Sequence, residues 1–279
     1  MIPIVLTAYN RVGTLTKTMD SLLKCDGIKG RKIIVYQDGH QDKDNDGWVF
    51  TEAYLHNCEA INPNIIKVYR PNHLGLRGNS LFAIEDSLKK YDKIIYLQDD
   101  QEFTKDFLTF MDAALNKFED RKDIMFVSGY SHISWGACYL SPLTADGLGI
   151  WRWKFDLPLF DYYKPTPEIY KDYAKETTPS FASYLKDIIE GRSDAFMALL
   201  SYTMYLNKAR CMHPNVNKVR YCVSDSTNSK KKDAKRLNND LYIGFSNILD
   251  ETEMPYEIIK KTKNYRWSLF KKFTRWMCG

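Results

Sequence analysis

Lys93-Ile94-Ile95-Tyr96-Leu97-Gln98-Asp99-Asp100 is the stretch on which the reading of this chain turns. After Lys93, Ile94–Leu97 form a short apolar run, the signature of a strand buried on both faces. The run stops at two adjacent carboxylates. On one side lies a helical pattern with Leu81, Ile84, Glu85 and Leu88, for which Ser80 is the expected cap. On the other side Thr104 to Phe118 is amphipathic, with Phe107, Leu108, Met111, Leu115 and Phe118 on one face. Strand followed by amphipathic helix is the repeating unit of a parallel sheet.

The same alternation extends in both directions. Upstream, Ile2–Thr7, Lys32–Gln37 and Ile65–Tyr69 read as strands. Asn10 is placed to cap a helix carrying Leu15, Met19, Leu22 and Leu23, and residues 48–58 form the next helix. Downstream, Ile124–Ser128 is a fifth strand. The expected fold is α/β, a mainly parallel twisted sheet flanked by helices. From Gly129 to about Pro167 the sequence turns to Gly, Trp, Tyr and Pro with little periodicity and reads as loops and a hairpin. Residues 194–207 resume as a helix, and 224–239 is polar and basic, a loop.

Bulk composition fits this picture and narrows the function. The chain has 279 residues, 44% apolar and 27% charged, which excludes disordered and collagen-like classes. Its net charge of +5 points superficially to nucleic acid. However, residues 260–279 hold seven basic side chains and no acid, so the remainder carries 33 basic against 35 acidic residues. A body that is slightly acidic argues against a nucleic-acid binder, even with the run Lys230-Lys231-Lys232. The six cysteines are scattered without CxxC spacing and are expected as reduced cytosolic thiols. No apolar run approaches the ~20 residues of a membrane span, and no leader is read before the first strand.

Ligands of open parallel sheets gather at the carboxyl ends of the strands, and four such ends here are polar. Asp99 and Asp100 repel each other unless donors or a cation offset them. A divalent metal, Mn2+ or Mg2+, bridging a diphosphate is the economical explanation; a solvated turn is the plain one. Asp38, in Tyr36-Gln37-Asp38-Gly39-His40, can accept from a base or a ribose, or simply make an Asp-Gly turn. Thr7-Ala8-Tyr9-Asn10-Arg11 offers backbone groups, an aromatic face and a cation. Asn72-His73-Leu74-Gly75-Leu76-Arg77-Gly78-Asn79 adds glycines that permit close approach and Arg77 for a phosphate.

Taken in order, these segments resemble GT-A-fold glycosyltransferases. IPIVLTAYNR with TKTMDSLLK is similar to the opening strand and helix of family 2-like sugar transferases and of the N-acetylglucosaminyltransferase I family. VYQDGH resembles the second-strand motif of the latter. IIYLQDDQEFTKDFLTFM resembles its acidic metal segment, with Gln98 where the family has Glu. NHLGLRGNSLFAIEDSL and GLGIWRWKFD resemble bacterial sugar transferases of polysaccharide loci. The similarity covers residues 2–215 or so. It implies that Thr7, Ala8, Tyr9, Arg11 and Asp38 hold the nucleotide, that Arg77 and Asp99 lie beside the donor, and that Asp100 ligates the metal. It further implies inverting transfer from a nucleoside-diphosphate sugar, a UDP-sugar, to a saccharide or lipid-linked acceptor.

Inverting transfer needs a base for the acceptor hydroxyl. Gly191-Arg192-Ser193-Asp194 resembles the family segment that bears a carboxylate at a helix start, which nominates Asp194, with Asp156 and Glu190 as competitors. Trp151 and Trp153 are candidate sugar platforms, one of the two being expected in the core, and Trp135 is a third. Leu269, Phe270, Phe273, Trp276 and Met277, interleaved with Lys271, Lys272 and Arg275, form a basic amphipathic pattern. Such a tail lies on an anionic membrane or docks on the domain. The expected layout is therefore a donor half (1–130), an acceptor half (131–258) and a tail (259–279), on the cytoplasmic face of a membrane. A nucleotidyltransferase and a non-catalytic nucleotide- or sugar-binding module are the competing readings.

Overall fold

The computed structural model describes residues 1–40, 46–131, 138–142, 146–154 and 166–222, and the backbone of 251–253. Trp135, Asp156, the basic run 230–232, the polar segment 224–239 and the tail 259–279 lie outside the described residues.

Four strands form the first half of a nine-stranded sheet: β1 (Ile4–Ala8), β2 (Ile33–Gln37), β3 (Ile65–Tyr69) and β4 (Lys93–Gln98). They are mutually parallel in the order β3-β2-β1-β4. Between them run α1 (Val12–Leu22), α2 (Asp46–Ile61) and α3 (Gly75–Leu88). The runs of β1, β2 and β4 are buried on both faces because helices cover both, whereas the edge strand β3 buries only Ile65. Leu15, Met19 and Leu22 of α1 pack with Ile4, Leu6 and Val35, and Ala83 and Ile84 of α3 pack with Val5, Tyr36 and Tyr96. After β4 come the short β5 (Gln101–Phe103), α4 (Phe107–Lys117) and β6 (Ile124–Ser128).

The second half departs from simple alternation. β7 (Cys138–Ser141) and β8 (Leu148–Trp151) do not make the expected hairpin. Instead β8 runs antiparallel between β4 and β6 and closes the gap between them. β9 (Arg210–His213) lies parallel to β6, and β7 lies antiparallel beside β9. β10 (Val219–Tyr221) pairs with β5 in a separate ribbon, and β11 (Glu251–Glu253) extends the sheet beside β7.

Two helices, α5 (Pro167–Glu176) and α6 (Pro179–Ile189), precede α7 (Phe196–Leu206). Each of the two opens on a Thr-Pro pair, where Thr166 and Thr178 accept from the backbone N–H three residues on. With α7 they bury Tyr173, Leu185, Ile188 and Tyr202 in a satellite core that reaches α3 through Leu81.

Two expected caps are corrected. Arg11, not Asn10, stands at the N-cap of α1. Helix α3 starts five residues before Ser80, inside the Gly-rich segment, so Ser80 is a buried mid-helix residue. Its hydroxyl accepts from Tyr96 Oη at 2.7 Å. Cys25, Cys58, Cys211 and Cys222 are free thiols. Among the described residues, no helix is long and apolar enough to cross a membrane.

Candidate functional site

The carboxyl ends of β1, β2, β3, β4, β6 and β9 share one edge of the sheet, and the start of β8 meets them there, with Leu148 opposite Tyr96 and Ser128. That register decides the fate of the two tryptophans. Trp151 lies opposite Lys93, at the far edge. It is fully buried, and its ring N–H donates to Leu115 O. Trp153 is half exposed but sits at the same far edge, with Lys154 Nζ over its ring. Lys154 in turn donates to Phe118 O and Arg121 O at the end of α4. Neither tryptophan is a platform beside Asp99. Trp151 is core, and Trp153 serves the opposite end of the sheet.

At the polar edge Asp99 and Asp100 follow β4 and turn into β5. One guanidinium holds both: Arg11 Nη2 pairs with Asp99 Oδ1, and Nη1 donates to Asp100 Oδ2 at 3.2 Å. Helix α1 supplies this cation because Arg11 caps it directly after β1, the neighbour of β4. Asp99 is only 4% exposed. Burial raises its pKa against the opposing pull of Arg11, and Asp100 raises it further. Behind them is Asp146, which precedes β8. It is buried and accepts from Gln101 Nε2 at 2.9 Å. Burial, then the charge of Asp100, pushes its pKa up to about 7. Asp99 and Asp100 thus share one cation with the buried Asp146 close to Asp100, and Asp99 Oδ2 and Asp100 Oδ1 are buried without a hydrogen-bond partner.

These orphaned oxygens fit a divalent cation, which prefers oxygen ligands and relieves like-charge crowding. No group of three or more His, Cys, Asp or Glu able to hold a metal occurs among the described residues. The fit is therefore to an ion held by one or two carboxylates and completed by phosphate and water, as is usual for Mg2+.

Thr7 and Ala8 face inward. The Thr7 hydroxyl shares a 3.0 Å hydrogen bond with Tyr96 Oη, and Ala8 is buried. Within Thr7–Arg11, Tyr9 and Arg11 make the side-chain contacts at the edge. Tyr9 stacks on His40 at 5.5 Å between ring centroids and leans on His73 at 4.7 Å. Trp48 closes this group, its ring N–H donating to Asp38 O at 2.8 Å. His40, His73, Trp48, Gln101 and Asp146 received no role in the sequence reading, because each is recruited by contacts distant in sequence.

Asp38 is tied to the backbone around it. Its Oδ1 accepts from Gly39 N and Leu74 N, and its Oδ2 accepts from Gly75 N and lies 2.9 Å from His73 Nδ1. The same His73 Nδ1 lies 2.9 Å from Gly39 O, so a single ring proton serves either that carbonyl or Asp38. Asp38 clamps the β2 loop to the start of α3 through three backbone N–H groups. Gly39 is required by that clamp, since a Cβ there would stand 2.4 Å from the Asn72 backbone.

The clamp leads to the last pair. Gly75, at φ +73°, opens α3, and a Cβ on it would lie 2.9 Å from Asp194 Oδ2. Asp194 Oδ1 is 3.5 Å from Arg77 Nε. Asp194 precedes the N-cap of α7, Ala195, and so does not cap that helix. Its carboxylate lies instead against the first turn of α3. The structure therefore brings together Arg11, Asp99 and Asp100 at one end of the edge, and Asp38, Arg77 and Asp194 at the other. Tyr9 and His73 lie between them. Glu190 pairs with Arg192 away from this line.

No protein-family model and no curated protein matches the chain. Among solved structures it is similar to S. aureus TarS 1–349, with a TM-score of 0.48 and 12% identity over 85% of this chain and 68% of that one. A TarS 1–349 structure in complex with UDP-GlcNAc gives 0.45 and 12% over 85% and 70%. The chain spans 42% of a longer TarS structure. The mannosyltransferase PcManGT from Pyrobaculum calidifontis, in complex with GDP-Man and Mn2+, gives 0.43 and 12% over 74% and 69%.

Proposed function

We propose that this polar edge is the donor site of a metal-dependent, inverting glycosyltransferase that uses a nucleoside-diphosphate sugar, a uridine one. The observation that carries the reading is the overloaded acidic cluster. Two adjacent carboxylates share one guanidinium with a third, Asp146, buried near them, and two buried oxygens are left without partners, at the end of a strand in a mainly parallel sheet. The ordered motif resemblance of residues 2–215 supports it independently.

In this reading Tyr9, with His40 and His73, offers an aromatic face to the base, and Asp38 fixes the loop that carries His73. Asp100 would hold the divalent ion, Mn2+ or Mg2+. When bound, that ion neutralises charge on the departing diphosphate. Asp99 and Arg11 line the same pocket of charge. Asp194 takes the proton from the acceptor hydroxyl, and Arg77 holds its carboxylate. The acceptor is a saccharide or lipid-linked saccharide of polysaccharide biosynthesis. Residues 1–130 serve the donor and 131–258 the acceptor, and the basic aromatic tail 259–279 keeps the enzyme on an anionic cytoplasmic membrane face.

The test is a screen of UDP-, GDP- and dTDP-sugars for Mn2+-dependent hydrolysis and transfer, with Asp100→Ala in parallel. Loss of transfer by at least ~10²-fold in the variant is expected. A variant that keeps its nucleotide affinity, in a protein without turnover on any donor, would instead identify a binding module. Product anomeric configuration by NMR tests inversion, and retention would remove the role given to Asp194.

A further inference from the structure

We propose that Arg11 is a resident cation that competes with the metal for Asp100, so that the ion is admitted only together with the donor diphosphate. The inference rests on Asp100 being the metal ligand and goes beyond it by assigning how that site is controlled. The geometry makes the competition direct. The guanidinium lies across the pair, one arm on Asp99 Oδ1 and the other on Asp100 Oδ2. Asp100 Oδ1, the oxygen left for a metal, belongs to the same carboxylate that Arg11 already holds. A divalent ion on that oxygen would stand beside a fixed positive charge in a site largely closed to water, where like charges repel strongly.

Arg11 cannot relieve this by losing its proton, because a guanidinium stays charged in proteins. It must give up Asp100 and find another anion. A diphosphate entering with the metal supplies one, and the forked guanidinium matches phosphate oxygens well. The two contacts are unequal. Asp99 is the more buried carboxylate, with 5% side-chain exposure against 17% for Asp100. Arg11 therefore stays on Asp99 and releases Asp100. Metal and nucleotide then raise each other's affinity, as reciprocal linkage requires.

The experiment titrates the full chain with Mn2+ and follows the free ion by its EPR signal, without nucleotide and with saturating UDP or GDP. Wild type, Arg11→Met, Arg11→Lys and Asp100→Asn are compared, and circular dichroism reports folding. The expected result is that Arg11→Met binds Mn2+ alone at least ~10-fold more tightly than wild type. The enhancement by nucleotide should shrink by a similar factor. Arg11→Lys, a point charge able to hold one carboxylate at a time, should fall between the two. Equal or weaker Mn2+ binding by Arg11→Met in the absence of nucleotide overturns the proposal. If that variant does not fold, the same outcome in Arg11→Lys overturns it. Asp100→Asn separates the two levels. If it binds Mn2+ as wild type does under every condition, the metal reading of Asp100 fails, and this inference with it. If Asp100→Asn loses the ion but Arg11→Met gains nothing, the metal reading stands and only the competition is wrong.

Discussion

Two arginine–aspartate constellations stand on one edge of the sheet and differ in almost every physical respect. Arg11 is embedded between Asp99 and Asp100, with side-chain exposures of 21%, 5% and 17%. Arg77 and Asp194 are 34% and 47% exposed, and their charged atoms stand 3.5 Å apart. In the first, charge is unbalanced and polar atoms go unsatisfied. In the second, one charge meets one charge in contact with water. A buried pair is held at the cost of desolvation, and breaking it leaves an uncompensated charge; an exposed pair contributes little. The first therefore has the character of a binding site in want of a ligand. The second has that of an adjustable contact.

The contrast can be broken experimentally, most sharply at Arg11. Arg11→Ala is expected to destabilise the metal-free protein by about 3 kcal/mol at pH 8, because two carboxylates lose the cation they share. The loss should be smaller at pH 5, where Asp99 takes up a proton more readily, and urea unfolding in EDTA would read both. Asp38→Asn should cost about 2 to 3 kcal/mol, since an amide cannot replace a carboxylate that accepts three backbone N–H groups. A cost under 0.5 kcal/mol on the scale of ordinary surface changes would dismiss the clamp.

Asp146→Asn should act in the opposite direction and stabilise. Its folded pKa of about 7 exceeds the ~3.9 of an unfolded Asp. Between those values the folded state retains a proton that the unfolded state has lost, so stability falls as pH rises. The variant should gain up to about 4 kcal/mol at pH 8 and progressively less toward pH 4. A gain independent of pH would refute the assignment. Last, Arg77→Met should change stability by less than ~1 kcal/mol, with any loss of turnover appearing in kcat rather than in donor affinity.

The first half of the fold was legible because its signals are local. Each of β1 to β4 is a short apolar run, and α1 and α4 carry one-sided apolar spacing. The four polar strand ends could be located for the same reason. Other features depend on partners far along the chain. β8 is a Gly-containing run whose place between β4 and β6 is set by pairing about 50 residues back. Asp146 is a site residue only because Gln101 and Asp100 meet it in space. Trp151 looked like a platform because aromatic residues beside glycine read the same in a core and at a site; only the register opposite Lys93 distinguishes them. The helices α5 and α6 were within reach, since Thr166-Pro167 and Thr178-Pro179 are start signals of a familiar kind.

Strand β8 has a consequence for how the protein comes to exist. It makes β4 an interior strand, flanked by β1 on one side and β8 on the other. The two aspartates at the tip of β4 are thus carried on a rail held along both sides, and neither neighbour can slip without breaking a ladder. On the ribosome, however, Asp99 and Asp100 emerge well before Trp151. Until residues 148–151 have been made, the nascent chain presents its most charged strand end on an open sheet margin. A stretch of Leu, Gly, Ile and Trp that carries no chemistry of its own is what later closes that margin.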